Sequence, residues 1–281
     1  QIVLTFTNVT AAPVRWGIWD VVQLQAETRS AHGAPTHDPT CFVTTPLNPK
    51  SRFSTGFNVM FGSPDNPQWQ ADPKTGLFIA QYLWEIGKVG IDSTAGWVAF
   101  SQGSTQHAFV QRFDVDLKAE YPDDGVTVEC WTVGAGQVGN LDFTGSNINH
   151  METEVLGPLQ TIQPGASISL PMTWELCRCD GPIIAVQPGG CTARSLTATV
   201  VDGSIHVTGG FGVFDTGEMV LRALSAQGET LWQHELGPVD PLTAVTVDHF
   251  VPLSSASHSF ELVVRPAGSD DEFQLASTGQ S

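Results

Sequence analysis

Apolar and polar residues alternate along many short stretches of the chain, and turn-forming clusters separate these stretches. Because successive side chains of a strand point to opposite faces, alternating runs of β-branched and aromatic residues predict strands. In the first part of the chain such runs lie at 14–24, 52–61, 77–84, 96–102, 107–117 and 126–133. No stretch keeps helical spacing between two caps. The pattern therefore predicts an all-β protein.

The stretch 149–179 combines this pattern with ionisable residues. It predicts one strand, a Gly-Pro break, a Pro-Gly turn and a second long strand. His150, Glu152 and Glu154 stand two residues apart in the first of these strands, so they share one face. Ionisable groups are expensive to bury in an apolar strand. They indicate either a solvated face or the lining of a cleft.

A long, polar, proline-broken loop is predicted over residues 25–51. A loop of this length in a compact domain is often functional, although a plain surface excursion is the more common case. His32, His37 and Asp38 lie in this stretch, but a metal site would need further ligands. We therefore predict no metal site and no cofactor.

The pattern of apolar and turn-forming residues changes after the QPGG stretch at 187–190. This stretch has a composition typical of a linker. Short apolar runs then recur at regular intervals as SLTATVV, SIHVTGGFGVF, EMVLRALS, TLWQHELG, AVTVDHFVPL, HSFELVVRP and EFQLAST. About seven short strands in roughly 90 residues are typical of a small antiparallel sandwich. We predict two domains, 1–187 and 188–281. The second is an immunoglobulin-like β-sandwich with a structural or binding role.

The chain is strongly acidic, with 12 basic and 29 acidic residues and a formal net charge of -17. Nucleic acids and anionic membrane surfaces both require a cationic face, so this charge disfavours them as partners. No apolar run approaches the roughly 20 residues needed to span a bilayer, so we expect no membrane insertion. Gln1 opens directly on a strand-like run, from which we expect a longer precursor or processing.

Five cysteines stand at positions 41, 130, 177, 179 and 191. Cys177 and Cys179 are too close along one strand to pair easily. Cys179 and Cys191 flank a short loop that a disulfide could close, so this is the predicted bridge. The odd count leaves at least one thiol free. The cysteines favour an exported protein, and we expect a secreted or periplasmic location.

Four blocks in the first 185 or so residues stand in a specific order and spacing. They are PVRWGIWDVVQL (13–24), GKVGIDSTAGWVAF (87–100), HAFVQRFDVDLKAEYPDDGVTVECWT (107–132) and METEVLGPLQTIQPGASISLPMTWEL (151–176). In this order they resemble the galactose mutarotase-like superfamily, and they are most similar to its uncharacterised bacterial branch of aldose-epimerase-like proteins. The resemblance implies an antiparallel β-supersandwich, two large sheets packed face to face, with a sugar bound in a cleft on one sheet.

The resemblance also implies positions for catalytic groups. In active members a glutamate on a late strand is the general base on the anomeric hydroxyl, and a histidine is the general acid on the ring oxygen. The base falls at Glu154 or, one strand period earlier, at Glu152, with His150 beside them. Residues 15–20 align with the strand that follows the acid histidine in the family, and they offer no histidine. The sequence therefore favours binding a carbohydrate over turning it over.

Five further residues are candidates for contacting the substrate. Arg15, Lys88 and Arg112 are scarce cations in an acidic chain, and a cleft facing an acidic sugar could use them. Trp19 and Trp131 could stack on the apolar face of a sugar. A solvated position or an ion pair is the alternative for each cation, and core packing is the alternative for each indole.

Three functions remain, all with a sugar or polysaccharide as partner. The first is an aldose epimerase, an isomerase that acts through a glutamate base. The second is a carbohydrate-binding protein without catalysis. The third is a polysaccharide lyase-like enzyme, which needs a tyrosine or histidine base, and the two tyrosines here are Tyr82 and Tyr121. The sequence does not predict the sugar or the oligomeric state.

Overall fold

The prediction of an all-β chain is confirmed by the structure, a computed structural model that describes residues 1–29, 33–252 and 257–278. The strands are β1 (Ile2–Thr7), β2 (Val14–Trp16), β3 (Trp19–Gln25), β4 (Glu27–Arg29), β5 (Pro35–His37), β6 (Cys41–Pro46), β7 (Asn58–Phe61), β8 (Trp69–Asp72), β9 (Leu77–Gln81), β10 (Gly87–Ile91), β11 (Trp97–Gln102), β12 (His107–Phe113), β13 (Val128–Thr132), β14 (Gln137–Val138), β15 (Leu141–Asp142), β16 (His150–Leu156), β17 (Gln160–Ile162), β18 (Ser167–Arg178), β19 (Ala185–Gln187), β20 (Gly190–Val201), β21 (Ser204–Val213), β22 (Gly217–Leu224), β23 (Thr230–Val239), β24 (Val245–Pro252), β25 (Ser259–Pro266) and β26 (Phe273–Ser277). A short helical turn, α1, spans Pro122–Gly125. None of the helical structure in the described residues is long and apolar enough to cross a membrane.

The contacts between residues divide the chain into two compact units. The first unit consists of 1–100 and 110–174, and the second consists of 101–109 and 175–281. The predicted boundary between residues 187 and 188 stays a prediction.

The first unit contains one five-stranded sheet and most of one seven-stranded sheet. The seven-stranded sheet has the order β1-β18-β12-β11-β6-β9-β8, and the five-stranded sheet has the order β3-β16-β13-β10-β7. Gln111 of β12 donates from Nε2 to Asp20 Oδ2 on β3 at 2.8 Å and accepts from Thr153 Oγ1 on β16 at 2.6 Å. Since this one side chain reaches two strands of the other sheet, the two sheets face each other. Burial raises the pKa of Asp20, and the hydrogen bond from Gln111 opposes that rise.

Two four-stranded sheets build the second unit, in the orders β19-β20-β21-β24 and β23-β22-β25-β26. The seven apolar runs predicted after QPGG correspond to β20 through β26. Their inward-facing residues form one apolar core, which includes Val207, Phe211, Leu221, Leu262 and Leu275. The coarse prediction of antiparallel β-sheets therefore holds in this part of the chain.

Residues 25–51 were expected to form a loop, but they contain β4, β5 and β6. The run CFVTTP is rich in aromatic and β-branched residues, and it forms β6 inside the seven-stranded sheet with Cys41 and Val43 fully buried. His37 stacks on Trp84 with ring centroids 6.0 Å apart. His32 lies outside the described residues. Within the described ranges, no group of three or more His, Cys, Asp or Glu could hold a metal ion.

The QPGG stretch is a hairpin turn and not a linker. Gln187 at the end of β19 pairs directly with Gly190 at the start of β20. Gly190 has φ +157°, and a Cβ there would meet the carbonyl oxygen of Gly212. The two glycines of the stretch therefore serve a tight turn and a close approach of strands, which a sequence pattern alone does not separate from a linker.

The predicted disulfide between Cys179 and Cys191 is not formed. All five cysteines are buried free thiols. Cys191 lies 3.5 Å from Cys177, measured between the two Sγ atoms. Cys191 does lie against the 177–179 segment, as the prediction requires, but no bridge joins them.

Candidate functional site

One face of the five-stranded sheet collects most of the predicted site residues. Residues directly opposite each other on neighbouring strands share a face, and Glu154 lies opposite Glu129, while Trp131 lies opposite both Glu152 and Lys88. We call this surface the polar face. It presents Trp19, Lys88, Glu129, Trp131, His150, Glu152 and Glu154.

The alternation within β16 explains why these groups share a side. Met151, Thr153 and Val155 are buried on the face that packs against the seven-stranded sheet. The intervening His150, Glu152 and Glu154 must then point the other way, as the spacing of two predicted.

At the centre of the polar face, a buried lysine is held between two glutamates. Lys88 Nζ lies 2.7 Å from Glu129 Oε2 and 2.9 Å from Glu154 Oε2. The exposed fractions are 8% for Lys88, 2% for Glu129 and 0% for Glu154. The Oε1 atoms of both glutamates have no hydrogen-bond partner among the described residues. The cluster therefore keeps unused acceptor capacity in a region largely closed to water.

Trp19 covers this cluster from the solvent side. Its Nε1 donates to Glu154 Oε2 at 2.7 Å, and Lys88 Nζ lies 4.6 Å from the centroid of its ring. Trp19 as a whole is 53% exposed. Glu154, predicted as the general base, thus lies beneath Trp19 and Lys88, where it positions both of them.

Burial dominates the protonation of the cluster. It raises the pKa of Glu129 to about 8, because the nearby ammonium of Lys88 opposes this rise only in part and the charge of Glu154 adds to it. Burial alone would lower the pKa of Lys88, but its hydrogen bonds and charge pairing with Glu129 and Glu154 outweigh burial and raise it. Lys88 therefore stays charged while Glu129 exchanges its proton near neutral pH.

A cleft of about 510 Å³ opens beside the cluster. Lys88 and Glu129 line its floor, and Arg15, Trp16 and Trp19 line its walls. Trp16 is 58% exposed. Arg15 Nη2 pairs with Glu120 Oε2 at 2.6 Å, so its charge is partly compensated. The cleft thus joins two exposed indoles to a buried charged floor.

The remainder of the polar face carries the other predicted residues. Glu152 accepts from Gln23 Nε2 at 2.9 Å and lies 3.4 Å from His150 Nε2. Burial would raise the pKa of Glu152, but these two neighbours outweigh it and lower the pKa. The ring of Trp131 packs edge-on against Phe61 at 6.3 Å. These residues extend the face but do not line the cleft.

Arg112 is not brought to this site. It lies on β12, in the seven-stranded sheet. Its neighbour Gln111 points into the space between the two sheets, so Arg112 points to the other side of β12. The sequence identified a scarce cation but could not assign it to a sheet.

The two tyrosines are engaged elsewhere. The Tyr82 hydroxyl is fully buried and donates to the carbonyl oxygen of Val133 at 2.8 Å. Burial raises the pKa of Tyr82 and of Tyr121. The Tyr121 hydroxyl accepts from the Asp116 backbone N–H at 2.9 Å. Neither side chain lines the cleft, which removes the support for a tyrosine base there.

Glu129 is a residue of the site that sequence reasoning missed. It stands in the run VTVECWTV as a single carboxylate between buried Val128 and Cys130. A single carboxylate in an apolar strand, two residues from a tryptophan on the same face, is a sequence signal that could have indicated a site residue. What the sequence did not contain is the register that sets Glu129 opposite Glu154.

Comparisons with known proteins do not identify the chain. No family model matches it, and no curated protein matches it. One solved structure that it resembles is described as native alpha-2-macroglobulin from Escherichia coli spanning domains MG0-NIE-MG1. That match has 10% sequence identity, covers 94% of this chain and 96% of that chain, and has a TM-score of 0.18. A TM-score this low supports no conclusion about fold or function.

Proposed function

We propose that the first unit binds a carbohydrate in the cleft at the polar face. The observation that supports this is the pairing of two exposed indoles, Trp16 and Trp19, with a floor made of Lys88 and Glu129. Indole rings stack on the C–H faces of sugar rings, and ammonium and carboxyl groups exchange hydrogen bonds with hydroxyls. A sugar or polysaccharide chain is therefore the proposed partner.

The proposal includes the finer fold. The first unit is a galactose mutarotase-like β-supersandwich, and the second is an immunoglobulin-like β-sandwich. Support comes from the four sequence blocks, from the two facing sheets of the first unit and from the two four-stranded antiparallel sheets of the second. An experimental structure of the first unit that superposes poorly on mutarotases would overturn this assignment.

Trp16→Ala is expected to weaken sugar binding by about tenfold, or about 1.4 kcal/mol, because it removes one stacking wall. The variant removes none of the hydrogen bonds of the buried cluster, which join Lys88 to Glu129 and Glu154 and join Trp19 to Glu154. A glycan array selects the ligand, and calorimetry on the selected sugar measures the affinity. Phe250→Ala is the control, because it removes an exposed aromatic ring from the second unit. Equal affinities of Trp16→Ala and the parent chain would place binding elsewhere, and a glycan array without any bound sugar would end the proposal.

A second candidate is an aldose epimerase in which Glu129 replaces Glu154 as the general base. The observation that favours it is that Glu129, unlike Glu154, lines the cleft. Its raised pKa, about 8, would let this carboxyl accept and return a proton near neutral pH. Glu129→Gln is expected to slow anomer interconversion by about 100-fold or more, measured by NMR exchange between the α and β anomers. Catalysis is excluded if the parent chain gives the same exchange rate as buffer, and in that case the binding proposal stands alone.

A further inference from the structure

Three thiols meet inside the second unit. Cys177 lies near the end of β18, Cys179 directly follows that strand, and Cys191 lies at the start of β20. Their exposed fractions are 5% for Cys177 and 0% for the other two. The Sγ atoms of Cys177 and Cys191 are 3.5 Å apart, which is close to van der Waals contact. A disulfide requires about 2.05 Å, so a shift of about 1.5 Å would join them.

Gly212 provides the space for these sulfurs. It lies directly opposite Cys191 in the β20–β21 ladder. A Cβ at this position would lie 2.5 Å from Cys177 Sγ and 2.9 Å from Cys179 Cβ. A glycine is therefore required where the three cysteines converge, and a larger residue would separate the strand that carries Cys177 from the strand that carries Cys191.

The backbone around the thiols is fixed on both sides. The Arg178 N–H donates to the Pro241 carbonyl at 2.7 Å, and the Cys179 N–H donates to the Gln106 carbonyl at 2.8 Å. The Arg178 guanidinium also donates to the Thr105 carbonyl. Because these bonds hold the segment against its neighbours, the approach of Cys177 to Cys191 is a property of the folded unit.

We propose that Cys177 and Cys191 form a disulfide when the chain folds in an oxidising environment, and that Cys179 stays a thiol. The oxidant is a small-molecule disulfide such as oxidised glutathione. One protein thiolate attacks it and forms a mixed disulfide, and the second protein thiolate then displaces the remaining glutathione. The balance is two protein thiols and one oxidised glutathione giving one protein disulfide and two reduced glutathiones.

The burial of the three thiols sets when this reaction happens. Contacts with Cys177 and Cys179, together with burial, raise the pKa of Cys191, so little of the reactive thiolate exists in the folded unit. The bridge therefore forms during folding, once β18 and β20 have come together and before the thiols are enclosed. Once formed, it closes the loop from residue 177 to residue 191 and restricts the unfolded chain.

The experiment refolds the reduced full chain in a buffer of reduced and oxidised glutathione, alkylates free thiols and digests the denatured product with trypsin and a glutamate-specific protease. Cleavage after Glu175, Arg178 and Arg194 releases the tripeptide Leu176–Arg178 and the peptide 179–194. A bridge from Cys177 to Cys191 joins these two peptides. A bridge from Cys179 to Cys191 instead stays inside the peptide 179–194. Mass spectrometry thus separates the two pairings.

We expect the joined peptides with Cys179 alkylated. Reduction is expected to lower the Tm of the parent chain and of Cys179→Ser by about 5 °C or more, and to leave the Tm of Cys177→Ser unchanged. Recovery of a free, alkylated tripeptide overturns the proposal. So does an internal bridge in 179–194, or an equal Tm shift on reduction in Cys177→Ser and Cys179→Ser.

Discussion

Lys88→Met is expected to lower the free energy of unfolding by about 3–5 kcal/mol, because it removes the cation that compensates two buried carboxyls. Methionine fills most of the space of the lysine stem, so the lost charge is the main change. Chemical denaturation at neutral pH measures the effect. Lys50→Met is the matched control, since Lys50 is exposed and its loss should change stability by less than about 0.5 kcal/mol.

The same substitution in a variant without the two buried carboxyls separates the effect of the lost charge from the effect of lost packing. When Glu129→Gln and Glu154→Gln are already present, the same Lys88→Met change should cost far less, because no buried negative charge is left uncompensated. If Lys88→Met costs as much in the neutral background as in the parent chain, the electrostatic explanation is wrong and the lysine stem itself is what stabilises the sheet.

We expect the stability contributed by Glu129 in the parent chain to fall as the pH rises through neutrality. In Glu129→Gln this fall should be absent. The pKa of Glu129 rises from its ordinary value of 4.5 to about 8 in the folded protein. Between these values the folded state keeps a proton that the unfolded state has released, so raising the pH favours unfolding. The contribution approaches about 1.4 kcal/mol per pH unit and ends above about pH 8.

The measurement is the difference in unfolding free energy between the parent chain and Glu129→Gln at several pH values from about 5 to 9. Groups that do not interact with Glu129 contribute equally to both proteins and cancel in this difference. Glu229→Gln, which removes an exposed carboxylate, should give a nearly constant difference over the same range. A constant difference for Glu129→Gln would mean that this carboxyl is already ionised at pH 5.

The local periodicity of the sequence predicted many of the strands and the shared face of His150, Glu152 and Glu154, because alternation in a strand depends only on neighbouring residues. It could not predict that Glu129 meets Glu154, since this pairing depends on the register of two strands about 25 residues apart in the chain. The position of Arg112 away from the site could not be predicted for the same kind of reason. Alternation gives the side of a strand to which a residue points, but not the sheet to which the strand belongs.

The segment 25–51 shows why the sequence did not predict one of the buried strands. Proline and polar residues around β6 made 25–51 look like a loop, yet the six residues Cys41–Pro46 form a strand inside the seven-stranded sheet. A short apolar run gains its strand pairing from distant partners, here β9 and β11, and a window centred on the loop does not contain them. Glycines in QPGG were misinterpreted because a tight turn and a linker share the same composition.

The three-residue cluster of Lys88, Glu129 and Glu154 also constrains how the sheet can assemble. Its members come from three adjacent strands, β10, β13 and β16, and each occupies the same side. A slip of β13 by one residue would turn Glu129 towards the apolar interior and bring Cys130 to the cleft. Such a misaligned sheet would hold an unpaired carboxylate in its core and leave Lys88 with one partner. The three charges therefore favour the native register of these strands and destabilise shifted registers during folding.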